Sequence, residues 1–275
     1  MVLIAALIAV IYFKPGVKKP AEYPHLTRMT AADVDHIHIR QSGGVEIDMI
    51  KKNGVWMIDS PIDAYANDFR IEPLLGITEA ASYSSFDAQG QDLAQFKLGP
   101  PLAALRLNDI EMDFGGTEPI NNRRYVKLGD RIHLIDDHYY FRLQSDLPAF
   151  VSNHLLPPGS RPVKFTLSDF VLSRDAAGHW KASPDKGASP DAINNFVDEW
   201  KNAQAIEMDR YEGNAGRGVI RVEFEGGEKA IEFRVVESQS DVILARADLG
   251  LRYHLATDQG RRLLALAQPG DAHTP

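Results

Sequence analysis

The feature that most constrains the fold is a short element that occurs twice, as GVWMIDSP at residues 54–61 and as GHWKASP at residues 178–184. The two tryptophans, Trp56 and Trp180, lie 124 residues apart (180 − 56). In both places a segment of alternating apolar and polar residues precedes the tryptophan, and a helical pattern follows the proline. We therefore interpret the chain as two tandem copies of one α+β module, built from antiparallel β-hairpins with packed helices.

The helix after the second proline has the clearer pattern. Ser189 is a favourable N-cap residue, and Pro190 fits the first helical position. One face of this helix is apolar and comprises Ile193, Phe196, Val197, Trp200 and Ala203. In the first copy, Asn67 is predicted to cap a helix that Pro73 should kink or shorten. The apolar face of that helix comprises Ile71, Leu74 and Leu75.

Aromatic residues supply the candidate core and the candidate partner contacts. Because the two Gly-x-Trp elements are placed alike, we predict that their tryptophans close strand against helix as core residues. The predicted structural core comprises Trp56, Trp180, Phe196 and Trp200. Three consecutive rings cannot lie on one helix face, so at least one of Tyr139, Tyr140 and Phe141 should be exposed. These three residues are the candidate contacts for a partner.

Two proline-rich stretches divide the chain. KPGVKKPAEYP, at residues 14–24, is typical of an extended tether, and LPPGSRP, at residues 156–162, is typical of a joint between domains. The predicted organisation is an anchor at 1–13, a tether at 14–29, a first module at 30–155, a joint at 156–162, a second module at 163–268 and a tail at 269–275.

The chain begins with an unbroken apolar run from Val2 to Phe13. Twelve helical residues span only about 18 Å, whereas a bilayer core of about 30 Å needs about 20 residues. We expect a transmembrane anchor whose start is truncated or miscalled, with the folded part outside the cytoplasm. The alternative is a buried N-terminal helix or strand. Lys14, Lys18 and Lys19 follow the run and oppose this topology, because basic residues favour the cytoplasmic side.

Composition excludes several partners and chemistries. The net charge of −8 and a pI near 5.6 argue against nucleic acid, whose binding needs clustered Lys and Arg. The chain has no cysteine, which excludes disulfides, thiolate metal sites and a cysteine nucleophile. No phosphate-binding loop, dinucleotide fingerprint, nucleophile elbow or metalloprotease motif is present. We therefore predict no catalytic, cofactor-binding or metal residues and no cofactor.

Three local patterns could suggest chemistry but favour structural tasks. His36 and His38 point to one side of a strand, yet no third ligand accompanies them, so metal binding is not favoured. The triplet Asp113-Phe114-Gly115 resembles the magnesium tripeptide of kinases, but it lacks the companion motifs and is predicted to end a strand. The acidic pair Asp136-Asp137 is predicted to cap the helix that follows it.

An ordered series of motifs resembles a family. The series runs from Trp56–Pro61, through FKLGPP at 96–101 and FGGTEPINNRRYV at 114–126, to IHLI at 132–135. In this order it is similar to the bacterial domain of unknown function DUF4340, over roughly residues 30–210. The resemblance implies a membrane-anchored protein of unknown activity, often encoded beside gliding-type or other ABC transporter components. It supplies no catalytic residue to assign.

Three functions remain open for such a chain. The one we favour is a non-enzymatic accessory or scaffold subunit of a bacterial envelope membrane complex, single-pass in the inner membrane and periplasmic, with a membrane protein as partner. The second is a module that binds an envelope glycan, lipid or peptide in a cleft between the two modules. The third is an unrecognised hydrolase whose carboxylates, such as Glu111 and Asp113, are assembled by the fold. The sequence leaves the oligomeric state open.

Overall fold

The computed structural model describes residues 22–213, 216–237 and 242–267. The predicted anchor, the first half of the tether and the tail at 269–275 lie outside the described residues. Within the described ranges no helix is long and apolar enough to cross a membrane. The fold is mostly β, with two antiparallel sheets and a few helices, which agrees with the α+β class expected from the sequence.

The first sheet has nine strands. Their bounds are β1 His36–Gln41, β2 Glu46–Lys52, β3 Val55–Ser60, β4 Ala64–Tyr65, β5 Ser84–Asp87, β6 Ala103–Leu107, β7 Ile110–Thr117, β8 Arg124–Leu128 and β9 Arg131–Ile135. The strands lie in the order β4-β3-β2-β1-β6-β7-β8-β9-β5. Strands β1 to β4 and β6 to β9 form successive hairpins, β1 pairs with β6 in the middle of the sheet, and β5 pairs with β9 at its edge.

The second sheet has eight strands. Their bounds are β10 Pro162–Thr166, β11 Val171–Arg174, β12 Trp180–Ser183, β13 Glu207–Arg210, β14 Gly218–Phe224, β15 Ile231–Glu237, β16 Val242–Arg246 and β17 Leu251–His254. The order is β12-β11-β10-β14-β15-β16-β17-β13. When β10 is matched with β1, this order repeats that of the first sheet strand for strand. Within the described ranges, β4 is the strand that has no counterpart.

In the described part of the chain, five α-helices pack on the sheets. They are α1 Asp68–Leu75, α2 His138–Leu143, α3 Leu147–Phe150, α4 Pro190–Asn202 and α5 Thr257–Leu264. Short 3-10 helices occupy Ala31–Asp33, Gly76–Glu79, Leu93–Phe96 and Glu225–Gly227. Helix α1 follows the first Trp-Pro element and α4 follows the second, while α2 and α5 follow the last hairpin of each sheet. Helices α1 and α4, and likewise α2 and α5, therefore occupy corresponding positions in the two halves, as the matched strands do.

The helix starts follow the sequence pattern. The Asn67 side chain accepts a hydrogen bond from the backbone N–H of Phe69 at 3.1 Å, and the Ser189 hydroxyl accepts one from Ala192 at 3.1 Å. Pro73 lies inside α1, which ends two residues later and continues as the 3-10 helix. The predicted apolar faces of α1 and α4 are both buried.

The core of the second sheet is a cluster of aromatic rings around Trp200. This residue is fully buried on α4, and its ring centroid lies 5.7 Å from that of Phe165 and 5.6 Å from that of Phe233. Its indole N–H donates to the carbonyl of Leu263 at 3.1 Å. That bond ties α4 to α5, so Trp200 joins both helices to the sheet. Phe196, one turn earlier on α4, is buried as well.

The two Gly-x-Trp elements differ in burial. Trp56 is 5% exposed, whereas Trp180 is half-buried and packs with its ring centroid 5.9 Å from that of Phe165. Trp180 is thus less enclosed than a core residue was expected to be. The first element is one residue longer, and the pairing of β2 with β3 accommodates the extra residue by a register shift that leaves Asp59 unpaired as a β-bulge. The bulge keeps the two tryptophans at corresponding strand positions.

A bridging segment, residues 150–155, connects the two sheets. On one side the N–H of Asn67 donates to the carbonyl of Phe150 at 2.8 Å, and the N–H of Ser152 donates to the carbonyl of Tyr65 at 2.8 Å. On the other side the N–H of Leu155 donates to the carbonyl of Ala203 at 3.1 Å. Bridges between Ala66 and Val151 and between His154 and Gln204 complete the pairing. Backbone hydrogen bonds therefore run from one half of the fold into the other.

We predict that Trp200→Ala lowers the free energy of unfolding by about 3–5 kcal/mol, because it leaves a large cavity among closely packed rings. Chemical denaturation monitored by circular dichroism measures the loss. The matched control is Phe69→Ala at an 83% exposed position on α1, where a change within about 0.5 kcal/mol is expected. A loss below about 1 kcal/mol for Trp200→Ala would contradict the packing described for the second sheet.

Candidate functional site

A cleft of about 540 Å³ lies between the two sheets. One wall is the segment at residues 61–65, which leads from β3 into β4. The floor is formed by residues 151–158, which include most of the bridging segment and the start of the proline-rich joint. The opposite wall comes from the ends of β15, β16 and β17. The cleft exists because the bridging segment holds the sheets side by side.

The second-sheet wall carries Lys229, Arg246 and Asp248, and Asp63 is the charged residue of the opposite wall. Arg246 donates two hydrogen bonds to Asp248, from Nε at 2.9 Å and from Nη2 at 2.8 Å. These bonds hold the pKa of the Asp248 carboxyl below its usual value, and the positive charge of Lys229 acts in the same direction. Burial raises the pKa of Tyr253 to about 12. Lys229 therefore contributes positive charge to the wall beside an internally paired Arg246 and Asp248.

The first-sheet wall and the floor are largely apolar. Pro61 and Ile62 line the wall, while Leu155 and Leu156 are buried in the floor. Pro157 and Pro158 continue the floor into the joint. Because proline and branched apolar side chains lose little conformational entropy on binding, such a surface suits an apolar group of a ligand. The cleft as a whole suits a molecule with both an apolar part and an anionic group.

The structure separates the three candidate partner residues. The Tyr139 hydroxyl donates to the carbonyl of Gly76 at 3.3 Å, and its ring centroid lies 4.0 Å from that of His138. Tyr140 lies under the guanidinium of Arg124 at 3.9 Å. Both tyrosines are half-buried, whereas Phe141 is 65% exposed. Phe141 alone of the three presents most of its ring to solvent.

The histidine pair on β1 makes a polar contact with its neighbouring strand. His36 Nε2 lies 3.2 Å and His38 Nδ1 lies 2.9 Å from the same oxygen, Oδ1 of Asp48 on β2. Antiparallel pairing of β1 with β2 puts Asp48 directly opposite His38. Within the described residues, no group of three or more acidic or histidine side chains could hold a metal ion.

The two carboxylates considered for hydrolysis each have a cationic neighbour. Glu111 lies 3.6 Å from Arg40, and Asp113 lies 4.0 Å from Lys127. Burial raises the pKa of Asp113, while the charge of Lys127 opposes that rise. Both acids line a second cavity of about 700 Å³ on the outer side of the first sheet.

A buried arginine was missed by the sequence reasoning. Arg124 Nε donates to Asp137 Oδ1 at 2.6 Å, and Nη1 donates to the carbonyl of Gly115 at 2.6 Å. Asp137 occupies the N-cap position of α2 as predicted, but its side chain makes no capping hydrogen bond and pairs with Arg124 instead. The β8–β9 hairpin register pairs Arg124 with Ile135, two residues before Asp137, and so brings the two side chains together.

The triplet at residues 113–115 belongs to the same packing. Asp113, Phe114 and Gly115 all lie within β7 rather than at its end, which corrects the expectation. A Cβ on Gly115 would collide with the carbonyl oxygen of Phe96, so the close approach of the two backbones requires glycine. The triplet is explained by the approach of Phe96 and by the hydrogen bond that Arg124 donates.

The comparison with protein families identifies the class to which this chain belongs. The family described as Domain of unknown function (DUF4340) matches residues 56–211, more than half of the chain. The chain is a member of that family, as the ordered motifs predicted. The match begins in β3 and ends just after β13, so it includes the bridging segment and parts of both sheets. No curated protein matches the chain, and no solved structure matches it.

Proposed function

We propose that this protein is a non-enzymatic accessory or scaffold subunit of a bacterial envelope membrane complex, associated with an ABC transporter. The observation that carries the proposal is the bridging segment, which is hydrogen-bonded to both sheets and makes one extended unit of them. A unit of this kind can hold two partner surfaces at a fixed separation. That is the mechanical requirement of a scaffold.

We also propose that the two sheets are copies of one module, each with a helix after its Trp-Pro element and another after its last hairpin. The matching strand order and the recurring Gly-x-Trp element support this view. In an array of similar units each unit contacts its neighbour. Duplication therefore provides two related surfaces on one chain.

For location, we propose a single-pass anchor in the inner membrane with the folded part in the periplasm. The apolar run at residues 2–13 and the tether after it support this arrangement. The resemblance to DUF4340 implies the same arrangement and a neighbouring transporter. Phe141, the exposed ring of the three candidate contacts, is a suitable anchor for the membrane-protein partner.

A membrane-impermeant amine cross-linker applied to spheroplasts that express the full chain tests location and partnership together. We expect a reproducible cross-link to one membrane protein, analysed by mass spectrometry, because lysines outside the cytoplasm are accessible to the reagent. Phe141→Ser should reduce its yield at least fivefold, whereas Phe69→Ser, at another exposed phenylalanine, should leave it unchanged. Reaction only after the membrane is permeabilised would refute the periplasmic location. Reaction with no discrete partner would refute the scaffold role.

The cleft supports a second candidate function, the binding of an envelope glycan, lipid or peptide. Its mixed lining favours a ligand that combines an apolar part with an anionic group. Lys229 is the residue best placed to attract that group, since Arg246 is already paired with Asp248. In this role the protein would carry or sense an envelope molecule rather than only join proteins.

Binding of the aromatic sulfonate dye 8-anilinonaphthalene-1-sulfonate tests the cleft, because the dye has the required apolar and anionic parts. We expect Lys229→Glu to weaken binding about tenfold, since it reverses the charge at the wall. Lys186→Glu, outside the cleft lining, has the same change in net charge and should bind the dye as the wild type does. Equal dye affinity for all three proteins would remove this second function.

A further inference from the structure

The outer edge of β12 is the place where the two sheets differ most. In the first sheet the corresponding strand, β3, is covered by β4, whereas β12 is the last strand of its sheet. We propose that this edge binds an extended segment of a partner protein, which adds to the second sheet as an antiparallel strand. Strand addition of this kind uses backbone hydrogen bonds for affinity and alternate side chains for specificity.

The first sheet shows the filled form of the same edge. Strand β4 pairs with β3, so that Tyr65 lies opposite Met57 and Ala64 lies opposite Ile58. The carbonyl of Trp56 accepts a hydrogen bond from the N–H of Ala66 at 2.9 Å. An extended run of small residues and one aromatic, Ala-Tyr-Ala, therefore occupies the edge. The chain itself provides a template for the segment that β12 can accept.

The backbone of β12 is oriented for the same pairing. The N–H of Asp175 donates to the carbonyl of His179 at 2.8 Å, which makes these two a hydrogen-bonded pair. Hydrogen-bonded pairs alternate along an antiparallel ladder, so Ser173 and Lys181 form the next one. Lys181 therefore directs its backbone groups toward β11. The flanking residues Trp180 and Ala182 direct theirs to the open edge, as Trp56 and Ile58 do in the first sheet.

The chain's own sequence does not fill this edge. After Pro61 six residues precede α1, and part of that stretch forms β4. After Pro184 only five residues, 185–189, precede α4, and they form no strand. Within the described part of the chain, no segment pairs with the outer side of β12. The outward backbone groups of β12 are thus oriented for strand addition, but no strand of the described residues pairs with them.

The burial of the two tryptophans gives a second, independent sign. Trp56 is 5% exposed beside its filled edge, whereas Trp180 is half-buried beside the open one. A large aromatic side chain that is partly exposed at an edge is a typical anchor of an interface. An added strand that places an apolar side chain on the Trp180 and Ala182 face would cover the remaining ring surface.

The charge of the edge selects the kind of partner. Lys181 is 73% exposed on the opposite face of β12 from Trp180, and its ammonium, which lies 3.3 Å from the Asp175 carboxylate, keeps room for a second acidic group. In a two-fold pairing of two copies, the register that uses both outward residues would place Lys181 opposite the same residue of the other copy, which is unfavourable. A different protein avoids that repulsion. The expected segment alternates small or apolar residues with polar ones and carries an acidic residue opposite Lys181.

This inference goes beyond the proposed function, because it depends on strand geometry and holds with or without a membrane anchor. The most informative variant is Ala182→Pro, which removes one outward N–H. Proline is tolerated at edge-strand positions whose N–H faces solvent. Ala182→Val retains the N–H and is the matched control. Thermal unfolding of both variants checks that the sheet is intact.

The test is a random dodecapeptide display library selected on the full chain and counter-selected on Ala182→Pro. We expect peptides that bind wild type and Ala182→Val at least tenfold more tightly than Ala182→Pro. The selected peptides should also slow hydrogen exchange of the Ala182 amide in the wild-type protein, a readout that does not depend on the proline variant. Failure to obtain any such peptide, or binding that leaves the Ala182 amide unprotected, would overturn the proposal. A wild-type dimer that becomes a monomer on Ala182→Pro would instead assign the edge to a second copy.

Discussion

The backbone hydrogen bonds of residues 150–155 hold this structure together as one unit. Apolar residues of both sheets belong to one buried cluster, which includes Phe150, Val151 and Leu155 of the bridging segment. The bridging segment pairs with residues 65–67 on one side and residues 203–205 on the other. Because buried backbone groups must find partners, those bonds define a single arrangement of the two halves. The cleft, its apolar floor and its charged wall are consequences of that arrangement.

The same strand arrangement serves the two halves differently. In the first half, the β-bulge at Asp59 and the six residues between Pro61 and α1 allow β4 to cover the edge beside Trp56. In the second half, β11 and β12 pair without a bulge and only five residues separate Pro184 from α4. Trp180 stays half-buried at an open edge. The spacing between tryptophan and proline is thus one residue longer in the first half than in the second. This difference accompanies a sheet edge that β4 covers in the first half and that stays open in the second.

Local signals in the sequence were sufficient to predict the helices, but not the contacts between segments that are distant in the chain. Caps at Asn67 and Ser189 and the apolar face around Trp200 could be predicted, because each depends on residues within one or two turns. The pairing of Arg124 with Asp137 and the bridging segment could not, since each depends on strand register or on contacts between distant parts of the chain. The candidate site shows the same limit: the sequence named Tyr139, Tyr140 and Phe141 as a set without distinguishing Phe141, and the cleft walls come from segments more than 160 residues apart.

Hydrogen exchange of residues 150–155 tests whether the bridging segment joins the two sheets. If residues 150–155 join the sheets as described, the amides of Ser152 and Leu155 should exchange only through global unfolding, with protection equal to that of core amides such as Phe165 and Ile39. Equal protection, measured by NMR on the native full chain, is the predicted result. If the amides of Ser152 and Leu155 exchange at the rate of exposed loop amides while those of Phe165 and Ile39 stay protected, the two halves move independently.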